Sequence, residues 1–188
     1  MKVEQLFTGC LAEMVYFVES NGEAAIIDPL RETEPYIEMA AKHGATIKYI
    51  FLTHFHADFV SGQVDLAIKT GARIVFGPNA EAAYDFYRAK DGEEFQLGGG
   101  KITLLHTPGH TMESSSYLIT DEKGDTPWVC TGDCLFIGEV GRPDLAVKSD
   151  LSEEDLATVV ADGDIGQNEL TGNSLVYPLA EKDAPGIS

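Results

Sequence analysis

The sequence lacks the features of a disulfide-stabilised or membrane-spanning protein. Its 188 residues include only three cysteines, Cys10, Cys130 and Cys134, and so low and odd a number does not indicate a disulfide framework. No apolar run approaches the roughly 18 residues that a membrane-spanning helix requires, and the first residues contain no apolar stretch typical of a signal peptide. We therefore expect a cytoplasmic protein with no membrane partner.

Basic residues are also scarce. The chain has 13 lysines and arginines against 31 acidic residues, which gives a formal charge of −18. Binding to nucleic acid requires clusters of basic side chains against the phosphates, so this composition argues against nucleic acid as a partner. The hydrophobic fraction of 44% is typical of a globular chain, and the length allows one domain with a sizeable core.

The order of the predicted elements favours one α/β domain over residues 1–188, because helices and strands alternate first and strands dominate later. We find no repeat, linker or low-complexity segment. Residues 163–188 are weakly patterned, and we interpret them as an atypical or incomplete part of the domain. The main predicted elements are a hairpin about Asn21-Gly22, helices over 34–44, 61–71, 80–89 and 151–160, with Ser61 starting the second helix, and an apolar strand over 45–53.

Four of the five histidines form two pairs, and each pair follows a predicted strand. His54 and His56 lie in "THFHAD", and His106 and His110 lie in "HTPGHT". Imidazoles that leave strand ends in pairs indicate a metal site. We predict that His54 and His110 bind the metal, that His56 is either a third ligand or a neighbour, and that His106 orients its loop. His43 is predicted to be exposed at the end of a helix.

A carboxylate follows a third predicted strand. Asp133 lies in "WVCTGDCLF", directly after Gly132, and we predict that it completes the metal site. Two histidines and one carboxylate accept both iron and zinc. Cys134, the next residue, is interpreted as a small residue in a packed loop, because no base or basic cluster near it would lower the pKa of its thiol.

Three motifs together carry a family resemblance. "THFHADF", "HTPGHT" and "TGDCLFIGEVGRPDL", in this order, resemble the metallo-β-lactamase superfamily over about residues 6–160. Within it, "THFHADFVSG" and "GEVGRPDL" are most similar to the persulfide dioxygenases, also called sulfur dioxygenases, of the type fused to rhodanese domains. The resemblance implies an α/β fold, the four-layer αβ/βα sandwich, with the metal at the strand ends between two sheets.

The resemblance also implies a function. It predicts a mononuclear non-haem iron enzyme, with one Fe(II) per chain on His54, His110 and Asp133, zinc being the alternative metal. The enzyme would use O2 to oxidise a low-molecular-weight thiol persulfide, such as glutathione persulfide, to sulfite and thiol, as in hydrogen sulfide detoxification. A rhodanese domain or a sulfurtransferase is the expected partner, and a homo-oligomer remains open.

One position departs from the superfamily motif H-x-H-x-D-H. Phe59 stands where hydrolases such as glyoxalase II have a histidine that binds a second zinc ion, and Ala180 stands near the place of a further histidine. Both losses favour one metal. The alternatives are a dinuclear zinc thioester hydrolase of the glyoxalase II type and a catalytically incomplete metal-binding domain.

Several residues are expected to surround the metal ligands without binding the metal. Asp28 matches a strand-end aspartate of the superfamily and is expected to be structural, and Thr111 is a candidate to face the substrate. The remaining neighbours, placed by the resemblance, are His56, Asp58, Arg142 and Asp144.

Overall fold

The computed structural model describes residues 1–8, 13–124, 128–136, 139–140 and 177–178. These residues form two large β-sheets, one two-stranded sheet, two α-helices and a short 3-10 helix. No helix within these ranges is long and apolar enough to cross a membrane. The predicted helix over 151–160 lies outside the described residues. So does most of the segment 163–188.

The first sheet has six strands, and their spatial order is their order in the sequence. The first three strands are antiparallel, and the strands from the third to the sixth are parallel. Asn21 and Gly22, with φ of 50° and 81°, form the predicted hairpin turn. The strands are β1 (Lys2–Thr8), β2 (Glu13–Ser20), β3 (Glu23–Ile27), β4 (Thr46–Phe51), β5 (Arg73–Phe76) and β6 (Tyr87–Arg88).

Helices α1 (Glu34–Lys42) and α2 (Gln63–Thr70) lie in the parallel crossovers. Both were predicted, but the start of α2 at Ser61 is wrong, because Gly62 is the N-cap residue. The Ser61 hydroxyl donates instead to the Pro29 carbonyl at 2.9 Å. Gly62 approaches this segment so closely that a Cβ would lie 2.2 Å from the Leu30 oxygen.

Residues 80–89 do not form the predicted helix. Their only regular element is the edge strand β6. Tyr84 and Phe86 both pack against the first core cluster, with Phe86 against Phe76 at a ring-centroid distance of 5.3 Å. Side chains two residues apart share a face in extended chain, not in a helix, so this packing overrides the helical propensity of the alanines.

His43 is also less exposed than predicted. Its side chain is only 16% exposed, and Nε2 lies 3.0 Å from Glu4 Oε1. The ring packs against Phe17, with centroids 5.5 Å apart. The end of α1 therefore rests on β1 and β2 instead of facing solvent.

The second sheet is antiparallel, in the order β13-β10-β9-β8-β7. A separate pair of short strands follows β10. The strands of the second sheet are β7 (Glu94–Leu97), β8 (Gly100–His106), β9 (Ser115–Thr120), β10 (Trp128–Cys130) and β13 (Tyr177–Pro178), and the pair consists of β11 (Leu135–Phe136) and β12 (Glu139–Val140).

Alternating side chains of the first sheet build two apolar clusters. Phe17 and Ile26 face one cluster, which also holds Leu66 of α2. Tyr16 and Ile27 point to the other face, where they meet the second sheet. Helices thus cover one face of the first sheet and the second sheet covers the other, so the α/β sandwich that the resemblance implied is confirmed.

The two sheets are tied together at one edge. The Tyr117 hydroxyl of β9 donates to the Leu52 carbonyl at 2.7 Å, and the Ser115 backbone N–H donates to the Thr53 carbonyl at 2.8 Å. Leu52 and Thr53 directly follow β4. The carboxyl ends of β3, β4, β8 and β10 all carry the predicted site residues to this edge.

Candidate metal centre

Three potential metal ligands meet at the joined edge of the sheets. His54 follows β4, His110 lies in the loop after β8, and Asp133 lies in a short 3-10 helix after β10. One ligand atom from each side chain lies within 4.8 Å of the other two. Asp133 Oδ2 is 3.8 Å from His54 Nε2 and 3.7 Å from His110 Nε2. Among the described residues, this is the group of three or more that can hold an ion.

The cluster is buried on the histidine side and open on the aspartate side. The side chains of His54 and His110 are 4% and 11% exposed, whereas that of Asp133 is 38% exposed. Burial, with the nearby charge of His56, lowers the pKa of His54 to about 3. Burial raises the pKa of Asp133, against the opposing effect of His110. His54 is therefore neutral at pH 7, the form that binds metals.

A hydrogen-bond relay sets the tautomer of His54. The Thr53 hydroxyl donates to Asp28 Oδ2 at 2.8 Å, so its oxygen must accept the hydrogen bond with His54 Nδ1 at 2.9 Å. Nδ1 consequently carries the proton, and the Nε2 lone pair points towards Asp133. Partners of this kind fix ring orientation and raise ligand basicity at metal sites.

Asp28 anchors this relay from an unusual backbone conformation. It follows β3 with a φ of 54° and is 2% exposed. Burial raises the pKa of its carboxyl, but the charge and hydrogen bond of His56, together with the charge of His54 and the Thr53 backbone hydrogen bond, outweigh that effect, so the net pKa is lowered. Its Oδ1 also accepts the Thr53 backbone N–H at 2.8 Å. The predicted structural role of Asp28 fits these contacts.

Gly132 brings Asp133 up to the relay. Its φ is 50°, and a Cβ at this position would lie 2.5 Å from Thr53 Oγ1. Only glycine tolerates both the left-handed backbone and this approach. The residue before the carboxylate ligand is thereby packed directly on the residue before His54.

His56 faces Asp28. Its Nε2 is 3.2 Å from Asp28 Oδ1, and its ring stacks on Phe59 with centroids 4.3 Å apart. Asp58 is exposed, yet its charge contributes to the raised pKa of Asp133. The His56 ring also packs against His54, with centroids 4.2 Å apart, so His56 borders the ligand cluster.

The other predicted site residues take structural positions or lie outside the described ranges. The Thr111 hydroxyl is buried and hydrogen-bonds to Ser114 at 2.8 Å. His106 Nε2 hydrogen-bonds to the Met112 carbonyl at 3.0 Å, which is a contact that orients the loop. Burial raises the pKa of the Cys134 thiol. Arg142 and Asp144 lie outside the described residues.

Sequence reasoning missed two residues that border the ligands. Thr53 is the middle of the relay, and it precedes the motif histidine as an ordinary strand residue. Glu113 is 7% exposed, and its Oε1 accepts the Phe55 backbone N–H at 3.2 Å. The available signal was a lone charged residue in the otherwise uncharged run "TMESSS".

The donor set of the cluster fits a divalent transition metal. Two imidazoles and one carboxylate are ligands that iron and zinc both accept. The carboxylate lies on the solvent side, so a small molecule can reach the cluster from there. The relay through Thr53 holds one imidazole in its ligating form.

The sandwich is the metallo-beta-lactamase fold. The chain belongs to this superfamily, whose model matches residues 8–182. Among solved structures, a metallo-beta-lactamase from Staphylococcus aureus is 37% identical and covers 78% of this chain and 47% of its own, with a TM-score of 0.71. ETHE1 from Myxococcus xanthus is 30% identical and covers 87% of this chain and 68% of its own, also with a TM-score of 0.71.

Curated relatives have a different name. Hydroxyacylglutathione hydrolase from Acidiphilium cryptum is 37% identical over 131 residues, which is 68% of this chain and 51% of the relative. The cytoplasmic hydroxyacylglutathione hydrolase of Arabidopsis thaliana is 36% identical over 126 residues, 66% of this chain and 48% of the relative. The chain thus spans about half the length of the curated relatives it matches.

Proposed function

We propose that this protein is a mononuclear non-haem iron persulfide dioxygenase, with the metal on His54, His110 and Asp133. The observation that carries the proposal is the state of the neighbouring positions. Phe59 has no atom that binds a metal, and its ring stacks on His56. One metal with two histidines and one carboxylate leaves coordination positions open, as in iron oxygenases.

The contacts of His56 support a single metal. Its Nε2 faces the buried carboxylate of Asp28 at 3.2 Å, and Phe59 covers the ring. Asp58 is exposed. A second ion beside the cluster would therefore have one ready carboxylate from this loop and would lack the imidazole that Phe59 replaces.

The described residues perform positioning and proton control. Asp28 and Thr53 hold the proton of His54 on Nδ1, so that Nε2 remains available as a ligand. The buried side of the cluster excludes water, and the Asp133 side admits the substrate. Iron, when bound, supplies the redox chemistry with O2 that no protein side chain provides.

The proposed reaction balances with water as the second co-substrate. One thiol persulfide, one O2 and one water give one thiol, one sulfite and two protons. The terminal sulfur is oxidised, O2 is reduced, and the sulfur–sulfur bond breaks as the thiol leaves. Glutathione persulfide is the substrate we favour, with a rhodanese domain or sulfurtransferase as partner and Arg142 as a residue that supports the site.

The likeness to ETHE1 supports the dioxygenase, while the names of the curated relatives favour the second candidate, a dinuclear zinc hydrolase of glutathione thioesters. The ligand cluster can serve either chemistry. We favour the dioxygenase because Phe59 stands where the resemblance predicts a second-site histidine in the hydrolases. A metal-binding domain without turnover is the third alternative.

We also propose that the protein works in a reducing compartment. Cys130 and Cys134 are both free thiols, and burial raises the pKa of each. Buried, protonated thiols suit a reducing compartment. We therefore place the protein in the cytoplasm, where low-molecular-weight thiols are abundant.

Two measurements on the full 188-residue chain test the proposal. Elemental analysis of protein purified without added metal or chelator should give about one iron per chain and little zinc. Oxygen uptake should then follow addition of glutathione persulfide and should be lost in His110→Gln. About two zinc ions per chain, with oxygen-independent hydrolysis of S-lactoylglutathione, would establish the hydrolase instead.

A further inference from the structure

Glu113 is a buried carboxylate close to the metal ligands to which the proposed chemistry gives no task. It is the third residue after His110 and only 7% exposed. Its Oε1 accepts the Phe55 backbone N–H at 3.2 Å. Burying a carboxylate is costly unless hydrogen bonds compensate for the lost water, so this contact needs a function.

The position of the contact gives that function. Phe55 directly follows His54, and Ser115 holds the residue on the other side, because its N–H donates to the Thr53 carbonyl at 2.8 Å. The segment that carries His110 therefore forms hydrogen bonds to the backbone on both sides of His54. The segment donates one of these hydrogen bonds, from Ser115, and accepts the other, at Glu113. The pair fixes the direction of the segment as well as its distance from His54.

Internal hydrogen bonds hold the loop that contains His110 and Glu113. Thr107 N–H donates to the Ser114 carbonyl at 2.9 Å, and Gly109 N–H donates to the Thr111 carbonyl at 3.0 Å. His106 holds the Met112 carbonyl from outside. A braced loop transmits the position of Glu113 to His110, so the separation of the two histidines depends on the Glu113 contact.

Glu113 does not need to bind the metal to act. The group of described residues whose ligand atoms converge is His54, His110 and Asp133, without Glu113. We propose that Glu113 is a positioning residue that sets His54 against His110 by holding the Phe55 N–H. The proposal rests on the metal centre proposed above but not on the identity of the reaction.

Cobalt(II) substitution tests this role without an activity assay. The visible absorption of bound Co(II) reports the geometry of its ligands, and titration gives its affinity. Glu113→Met keeps the length of the side chain but removes the acceptor, and we expect an affinity about 10–100-fold weaker with an altered spectrum. Glu113→Gln retains an acceptor oxygen and should match the unsubstituted protein in both readouts.

A shorter carboxylate provides a second variant. Glu113→Asp keeps the charge but loses reach, so it should behave as Glu113→Met does, and it keeps the test available if the methionine variant does not fold. Unchanged affinity and spectrum in a folded Met or Asp variant would overturn the proposal. Equal losses in the Gln and Met variants would overturn it too, since charge would then matter and not the hydrogen bond. Failure of the unsubstituted protein to bind cobalt would refute the metal centre itself.

Discussion

Phe59 lies over the imidazole of His56, with ring centroids 4.3 Å apart and ring planes inclined by 35°. The pair lies beside the ligand cluster, because the His56 ring also packs against His54 with centroids 4.2 Å apart. His56 is left facing the carboxylate of Asp28. In the proposed one-metal site, Phe59 contributes no ligand atom and His56 faces a structural partner.

A histidine at position 59 should increase the number of metal ions that the protein binds. We expect Phe59→His to bind a second zinc ion, more weakly than the first, because it adds a nitrogen ligand next to Asp58 and against the His56 ring. Phe59→Tyr, which keeps the ring and adds no imidazole, should still bind one. Equilibrium dialysis with zinc, followed by elemental analysis, measures both. One zinc in each variant would show that Phe59 does not decide the stoichiometry.

Removing the Thr53 hydroxyl should weaken metal binding. In Thr53→Val the buried Nδ1 proton of His54 loses its acceptor, which costs about 1–3 kcal/mol, and metal affinity should fall about 10–100-fold. Thr53→Ser keeps the hydroxyl and should bind metal almost as the parent does. Competition with a chromophoric chelator measures these affinities. Equal affinities of the Val and Ser variants would contradict the relay.

Gly132 offers a test of close packing at the carboxylate ligand. Gly132→Ala should lower both stability and metal affinity, because its φ is 50° and the new Cβ would lie 2.5 Å from Thr53 Oγ1. The matched control is Gly124→Ala, with a φ of 72° and its nearest atom at 4.0 Å. The control should lose only about 1 kcal/mol from its backbone strain. Metal titration and urea unfolding separate the two effects, and similar metal affinities would argue against the contact.

The lowered pKa of His54 predicts how the metal-free protein responds to acid. The folded pKa is about 3 and the reference value is 6.5, so the unfolded chain binds a proton more readily within this window. Folding stability should therefore fall as pH decreases from 6.5 towards 3, by several kcal/mol and at most about 5. The raised pKa of Asp133 acts in the opposite direction.

Comparison with His54→Gln isolates this effect, since Asp133 is present in both proteins. Denaturant unfolding in excess chelator should show a shallower loss of stability with acid in the variant. Parallel pH profiles for the two proteins would mean that His54 is not held neutral by its surroundings.

The sequence predicted that His54, His110 and Asp133 lie together better than it predicted the contacts that hold them in place. His54, His110 and Asp133 follow unambiguous apolar strands, and strand ends of packed sheets converge at one edge. Asn21-Gly22 specified its turn locally. The relay from Asp28 through Thr53 and the hydrogen bond from Phe55 to Glu113 join positions far apart in sequence, and no local pattern records such pairs.

The wrong expectations have the same physical origin. Residues 80–89 have the composition of a helix, but Tyr84 and Phe86 are drawn to a core that is already built from other elements. Ser61 has a side chain suited to an N-cap, but its hydroxyl donates a hydrogen bond to the Pro29 carbonyl. His43 has the position of an exposed helix end, but Glu4 and Phe17 cover it. Tertiary contacts outweighed local preference in each case.

The division of the ligands between the sheets has a consequence for the lifetime of the molecule. His54 follows a strand of the first sheet, and His110 and Asp133 follow strands of the second. An ion bound by all three side chains would therefore crosslink the two sheets. Ion binding and closure of the halves are then linked equilibria, and each favours the other. Scarcity of metal would therefore lower the stability of the fold, and the abundance of the chain would depend on the metal supply of the cell.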